Sequence, residues 1–124
     1  MYTTIAVATG GALGSVARYG VTRWLASLIG QNLWGTFLVN VTGAFALGLL
    51  VGLTEERVSL DPVLRTGIAV GVLGGYTTFS TLMYESMREI EGRALWQSGL
   101  NLGGSVAIGL AAVALGLAAG RSAA

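Results

Sequence analysis

Residues 71–81, Gly-Val-Leu-Gly-Gly-Tyr-Thr-Thr-Phe-Ser-Thr, interrupt an apolar stretch long enough to cross a bilayer. Adjacent glycines followed by a run of threonine and serine are poor helix formers and poor lipid-facing groups. In hydrocarbon every backbone N–H and C=O needs a partner, so a non-helical break survives only inside protein or beside a watery cavity. The segment therefore predicts a third helix broken at membrane depth, and with it a pathway or a bound ion.

The rest of the chain agrees with a membrane setting. Of its 124 residues, 53% are hydrophobic and 10% charged, with 20 glycines and one proline, against roughly 25% charged in an average soluble domain. A net charge of +1 leaves no basic surface for nucleic acid. The lack of cysteine and histidine removes thiol chemistry, the commonest acid–base catalyst and the commonest metal ligand. No cluster of acid, base and nucleophile remains, and an enzyme is not expected.

A membrane helix needs about 20 mostly apolar residues. Four segments qualify, at about 3–28, 33–53, 62–84 and 94–119, making one all-α, multi-pass domain over residues 1–124. Asp61-Pro62 supplies a cap and a first-turn proline for the third. Glu55-Glu56-Arg57 and residues 85–93 read as connecting loops, and Gly120-Arg121 closes the fourth segment. The N-terminus lacks the positive region of a secretory signal, so its apolar stretch is read as the first span, in a bacterial-type plasma membrane.

The seven basic residues are all arginine. Arg57, Arg65 and Arg121 fall toward one side of such a bundle, and Arg18, Arg23, Arg88 and Arg93 toward the other. Orientation follows the basic bias, and three against four is no bias. Insertion both ways up would permit an antiparallel homodimer. A monomer or a parallel oligomer is the alternative. Small residues recur at four-residue spacing in Gly10/Gly14, Gly48/Gly52, Gly67/Gly71/Gly75, Gly99/Gly103 and Gly116/Gly120, a pattern that lets backbones approach closely, mostly for packing alone.

Asn40 lies midway along the second segment, with Gly43, Ala44 and Leu47 on its helical face. It either makes an interhelical hydrogen bond or points an NH2 donor at something negative. At the break the first half-helix ends in free carbonyls that suit a cation. The second begins with free N–H groups and a positive dipole end that suit an anion. Thr77 or Thr78 can cap it. Phe79 then starts the new helix, either packing or presenting its positive ring edge. Amide, hydroxyl, backbone and ring-edge donors without a carboxylate suit a small, strongly hydrated halide, bound weakly enough to leave again.

Three stretches, residues 10–19 (Gly-Gly-Ala-Leu-Gly-Ser-Val-Ala-Arg-Tyr), 35–45 (Gly-Thr-Phe-Leu-Val-Asn-Val-Thr-Gly-Ala-Phe) and 71–81, occur in order and together. On them the chain resembles the Fluc (CrcB) fluoride channels over essentially its whole length. The resemblance implies a dual-topology antiparallel homodimer in the cell inner membrane, with two pores passing fluoride passively to relieve its toxicity. It implies that Asn40 is the pore amide and Phe79 a ring-edge contact. Ser80 and Thr81 would form a hydroxyl track with Glu85 near its end, and Arg18 would draw anions at a vestibule; a snorkelling anchor is the other reading of Arg18. Backbone carbonyls of Gly74 and Thr77 from both subunits would hold a sodium ion. Two positions depart from the pattern. Leu82 stands where the family carries a second Phe on the fluoride path. Asn101 stands where relatives often have Tyr, with Ser105 one turn later on the same path. A small multidrug-type cation exporter, the rival reading, needs a carboxylate in its first span, and residues 1–30 contain none.

Overall fold

The computed structural model describes residues 1–30, 33–56 and 58–123. Arg57, counted in the charge balance above, lies outside the described residues. The architecture is four helical rods, the third interrupted. Helix α1 covers Tyr2–Ile29 and α2 covers Leu33–Glu56. The third rod begins with α3, Pro62–Thr66, continues as a π-helical stretch over Gly67–Leu73, and ends in the single turn α4, Gly74–Tyr76. After two extended residues, α5 runs over Phe79–Glu91, and α6 covers Leu95–Ser122.

Local chemistry accounts for the ends. The Asp61 carboxylate accepts from the amides of Val63 (2.9 Å) and Leu64 (3.1 Å), with Pro62 in the first turn. Gly30 closes α1 at φ 72°, its N–H returning to the Ala26 carbonyl at 2.8 Å, a left-handed geometry that favours glycine.

Two ends differ from the sequence reading. The stretch expected as a loop from Glu85 is helical as far as Glu91. There Glu85 and Ser86, facing Thr36 and α6 respectively, find intrachain partners, so the turn needs no solvated loop. Gly120 does not close the last helix. It is a buried helical residue packed on Leu49, and α6 continues to Ser122 with Arg121 bonded to Glu55 at 2.9 Å.

The rods pack as two tight pairs, α2 along α6 and α1 along the third rod. Both seams depend on missing side chains. A Cβ on Gly48 would overlap the Val113 carbonyl and one on Gly116 the Phe45 carbonyl. Across the other seam, a Cβ on Gly14 would overlap the Val72 carbonyl and one on Gly75 would stand 2.6 Å from the Gly11 carbonyl. Gly99 and Gly103 meet nothing at their Cβ positions and play no part in these seams.

The interior is thin. Among the described residues Val39, Leu82 and Ala112 are the buried apolar ones, whereas Tyr19, Trp24, Phe79, Trp96 and Leu110 are among many large apolar side chains left exposed. Segments Trp34–Glu55 and Leu95–Ser122 are each long and apolar enough to cross a membrane. A surface this apolar requires lipid or a partner to cover it.

Candidate functional site

The interruption of the third rod is two residues long. Thr77 (φ −88°, ψ 156°) and Thr78 (φ −150°, ψ 121°) are extended, a conformation that β-branched residues favour. Their four backbone polar groups are all bonded inside the chain. The Thr77 N–H donates to the Leu73 carbonyl (3.0 Å), and the Thr77 carbonyl accepts from Arg18 Nη1 (3.2 Å). The Thr78 N–H donates to Asn40 Oδ1 (2.8 Å), and the Thr78 carbonyl accepts from Asn40 Nδ2 (3.0 Å). Side chains of α1 and α2 thus stand in for the helical ladder, and the break carries no orphaned group at either residue.

The same bonds shape the two half-helix ends. In an unbroken helix the Thr78 N–H would go to the Gly74 carbonyl. Its diversion to Asn40 releases that carbonyl, on an exposed residue. Thr78 then caps α5, its Oγ1 accepting from the Thr81 N–H at 3.3 Å and donating to Thr81 Oγ1 at 3.1 Å. Gly43 on α2 lets the break approach, because a Cβ there would overlap the Thr77 methyl group.

Two cavities flank the break. The first, of about 500 Å³, is open on one side and largely apolar. It is bordered by Asn40, Gly43, Ala44 and Leu47 of α2, by Leu73, Gly74, Thr77 and Thr78, by Phe79 and Leu82 of α5, and by Ser105 and Gly109 of α6. Phe79 is 73% exposed, whereas Leu82 is buried. Ser105 Oγ is buried and has no partner among the described residues. Such a hydroxyl is costly unless something fills the cavity and bonds it.

The second cavity, of about 340 Å³, is polar. Ser15, Arg18, Tyr19, Thr22 and Arg23 of α1 face Thr36, Thr78, Thr81 and Glu85. Thr36 Oγ1 donates to Glu85 Oε1 at 2.8 Å, while Glu85 Oε2 is buried with no partner among the described residues. Two guanidinium groups against one carboxylate leave the lining net positive.

The residues singled out from sequence therefore divide between the two cavities. Asn40, Phe79, Leu82, Ser105, Gly74 and Thr77 border the apolar one, and Arg18 and Thr81 the polar one. Ser80 is exposed and borders neither. Arg18 does more than either sequence reading allowed, since it caps the Thr77 carbonyl as well as lining a cavity. Asn40 spends its oxygen and one N–H on Thr78 and keeps a second N–H. Asn101 also borders neither cavity. It is buried on the α5–α6 seam, where its Nδ2 donates to Ser86 Oγ (3.4 Å), Ser86 Oγ donates to the Leu82 carbonyl (2.8 Å) and Ser98 Oγ donates to the Ser86 carbonyl (3.1 Å). The sequence reading missed Arg23, Thr22 and Thr36 as lining residues. A signal was present, because Ser15, Arg18 and Thr22 recur at helical spacing and form a polar stripe on an apolar helix.

An all-helical chain with two membrane-length apolar helices, a sparse interior and a helix break braced by side chains has the make-up of a helical membrane protein. It belongs to the CrcB family: residues 5–117 match the family described as CrcB-like protein, Camphor Resistance (CrcB). Among its relatives is a protein of Acidobacterium capsulatum, 42% identical over 116 residues and 93% of each chain, called fluoride-specific ion channel FluC. Proteins of the same name are 44% identical over 117 residues in Agrobacterium fabrum (94% of each chain) and 39% identical over 122 residues in Geotalea daltonii (98% of each). A family of ion channels is not a family of enzymes, in keeping with the missing catalytic groups.

Proposed function

We propose that this chain is a fluoride-selective channel through which fluoride leaves the cell passively. The observation that carries the reading is the break at Thr77–Thr78. It brings an amide, hydroxyls and the start of α5 to an open cavity with no carboxylate among its described lining residues. Fluoride is a compact acceptor whose hydration must be replaced by several short hydrogen bonds, and neutral donors replace it without trapping the ion. The relatives' name supplies the ion, and Arg18 and Arg23 give the polar cavity a charge that draws anions.

The working unit is an antiparallel homodimer of multi-pass subunits in the inner membrane, with the break near the membrane centre and two pores. The open side of the apolar cavity, the exposed Phe79 and the near-balance of the arginines, three against four, support a second copy as its missing wall. Asn40, Phe79, Leu82 and Ser105 would line the fluoride path on that side, and Thr81 and Arg18 on the other. A sodium ion would sit between the subunits on the Gly74 and Thr77 carbonyls. The donors fit: the Gly74 oxygen is released by the break, and the Thr77 oxygen keeps a second lone pair beside its Arg18 bond. The ion would supply a fixed positive charge between the two paths.

Purified protein in liposomes is expected to release trapped fluoride quickly and chloride hardly at all. Equal release of both ions would defeat the reading. A reporter fused to the C-terminus is expected on both faces of the membrane; appearance on one face alone would end the antiparallel arrangement. The multidrug-exporter alternative gains nothing, since α1 contains no carboxylate.

A further inference from the structure

Thr78 is the single residue, among those described, that borders both cavities. On one side of it lies the positive, hydroxyl-rich cavity of Arg18, Arg23 and Thr81, and on the other the apolar cavity of Asn40, Phe79 and Ser105. We propose that Thr78 is the septum between them and a specificity-determining residue of the channel, its hydroxyl handing the anion across and its methyl group excluding larger ones. The proposal rests on the fluoride-channel reading and names the point in that path where size is tested.

Three features suit Thr78 to this. Its backbone cannot swing aside, because both of its polar groups are held by one Asn40 side chain, at 2.8 and 3.0 Å. Its side chain cannot rotate freely either. Oγ1 is tied to the N–H and the hydroxyl of Thr81 (3.3 and 3.1 Å), which fixes χ1 and with it the position of the methyl group. A wall immobilised at backbone and rotamer can discriminate by size where a mobile one would yield.

The polar groups can also be exchanged cheaply. The Thr78 hydroxyl proton points at Thr81 Oγ1, itself a hydroxyl. When an anion takes that proton's hydrogen bond, the Thr81 hydroxyl can turn and donate to Thr78 Oγ1 instead, so nothing is left unpaired. Asn40 borders the apolar cavity and keeps a second N–H. An anion at the septum thus meets the neutral Thr78 hydroxyl, without a bonded group having to be sacrificed. Chloride, larger and a weaker acceptor, gains less from such a donor and needs more room.

Two near-isosteric substitutions separate the parts. Thr78→Ser keeps the hydroxyl and the cap and removes only the methyl group. Thr78→Val keeps the shape and removes the hydroxyl. In liposomes loaded with fluoride and chloride, Thr78→Ser is expected to release fluoride within about threefold of the parent rate while chloride release rises tenfold or more. Thr78→Val is expected to slow fluoride release at least tenfold with chloride still retained. Melting and elution in detergent report folding, and if Thr78→Val fails to fold because it lacks the cap, Thr78→Ser decides alone. A parent protein that rejects chloride, with a Thr78→Ser variant that rejects it equally well, overturns the septum and leaves the fluoride reading standing. A parent that passes both ions equally overturns both.

Discussion

Asn40 holds Thr78 by both ends, its side-chain oxygen taking the Thr78 N–H at 2.8 Å and its amide nitrogen giving to the Thr78 carbonyl at 3.0 Å. This is the exchange that two strand residues make in an antiparallel pair, performed here by one side chain of α2. The amide makes the interhelical hydrogen bond and keeps a second N–H, so the structural role does not use up its donors.

Asn40→Asp retains an acceptor for the Thr78 N–H and sets a carboxylate oxygen against the Thr78 carbonyl. The expected result is a loss of about 1–3 kcal/mol of stability, the usual effect of leaving a buried polar group unpaired, and a fall of at least tenfold in fluoride release. Detergent melting curves and a fluoride electrode read the two. Normal melting together with normal release would show that the clamp matters for neither.

Arg18 acts on the same break from α1, donating to the Thr77 carbonyl at 3.2 Å. Arg18→Gln removes a charge from the polar cavity as well as the bond. Fluoride release is expected to slow and to lose much of its dependence on ionic strength, because charge attraction across open water is screened within about 10 Å at 0.1 M salt. Release measured at low and high ionic strength tests this; an unchanged salt dependence would restrict Arg18 to holding the break.

Leu82 is buried, yet it borders the apolar cavity. Leu82→Phe can send its larger ring into that space, so fluoride release is expected to stay or rise. Any penalty should not exceed about 1–3 kcal/mol, the range for an overfilled core. A fall in the preference for fluoride over chloride would argue that Leu82 does not stand where the family's second Phe does.

The two glycine patterns should separate cleanly. Gly116→Ala drives a methyl group into the Phe45 carbonyl, while Gly103→Ala enters open space. The first variant is expected to lower the melting temperature sharply or to prevent folding. The second should leave the subunit's own fold unchanged. Thermal melting compares them, and equal tolerance would mean that the α2–α6 seam can open without cost.

The chain's pattern of residues determined much of this protein by itself. Apolar runs of membrane length, the Asp61-Pro62 start, the glycine spacing and the Gly-Gly-Tyr-Thr-Thr interruption are local signals, and local propensity and periodicity carry them. Tertiary structure decided the rest. Arg18 and Thr77 are 59 positions apart, and Asn40 and Thr78 are 38 apart; no spacing rule joins them. Identical four-residue spacing left Gly48/Gly52 in a tight seam and Gly99/Gly103 facing nothing, because a small residue permits an approach without choosing the partner. The division of the polar residues between two cavities, with Thr78 at their boundary, exists only once α1 and α2 have packed around the break.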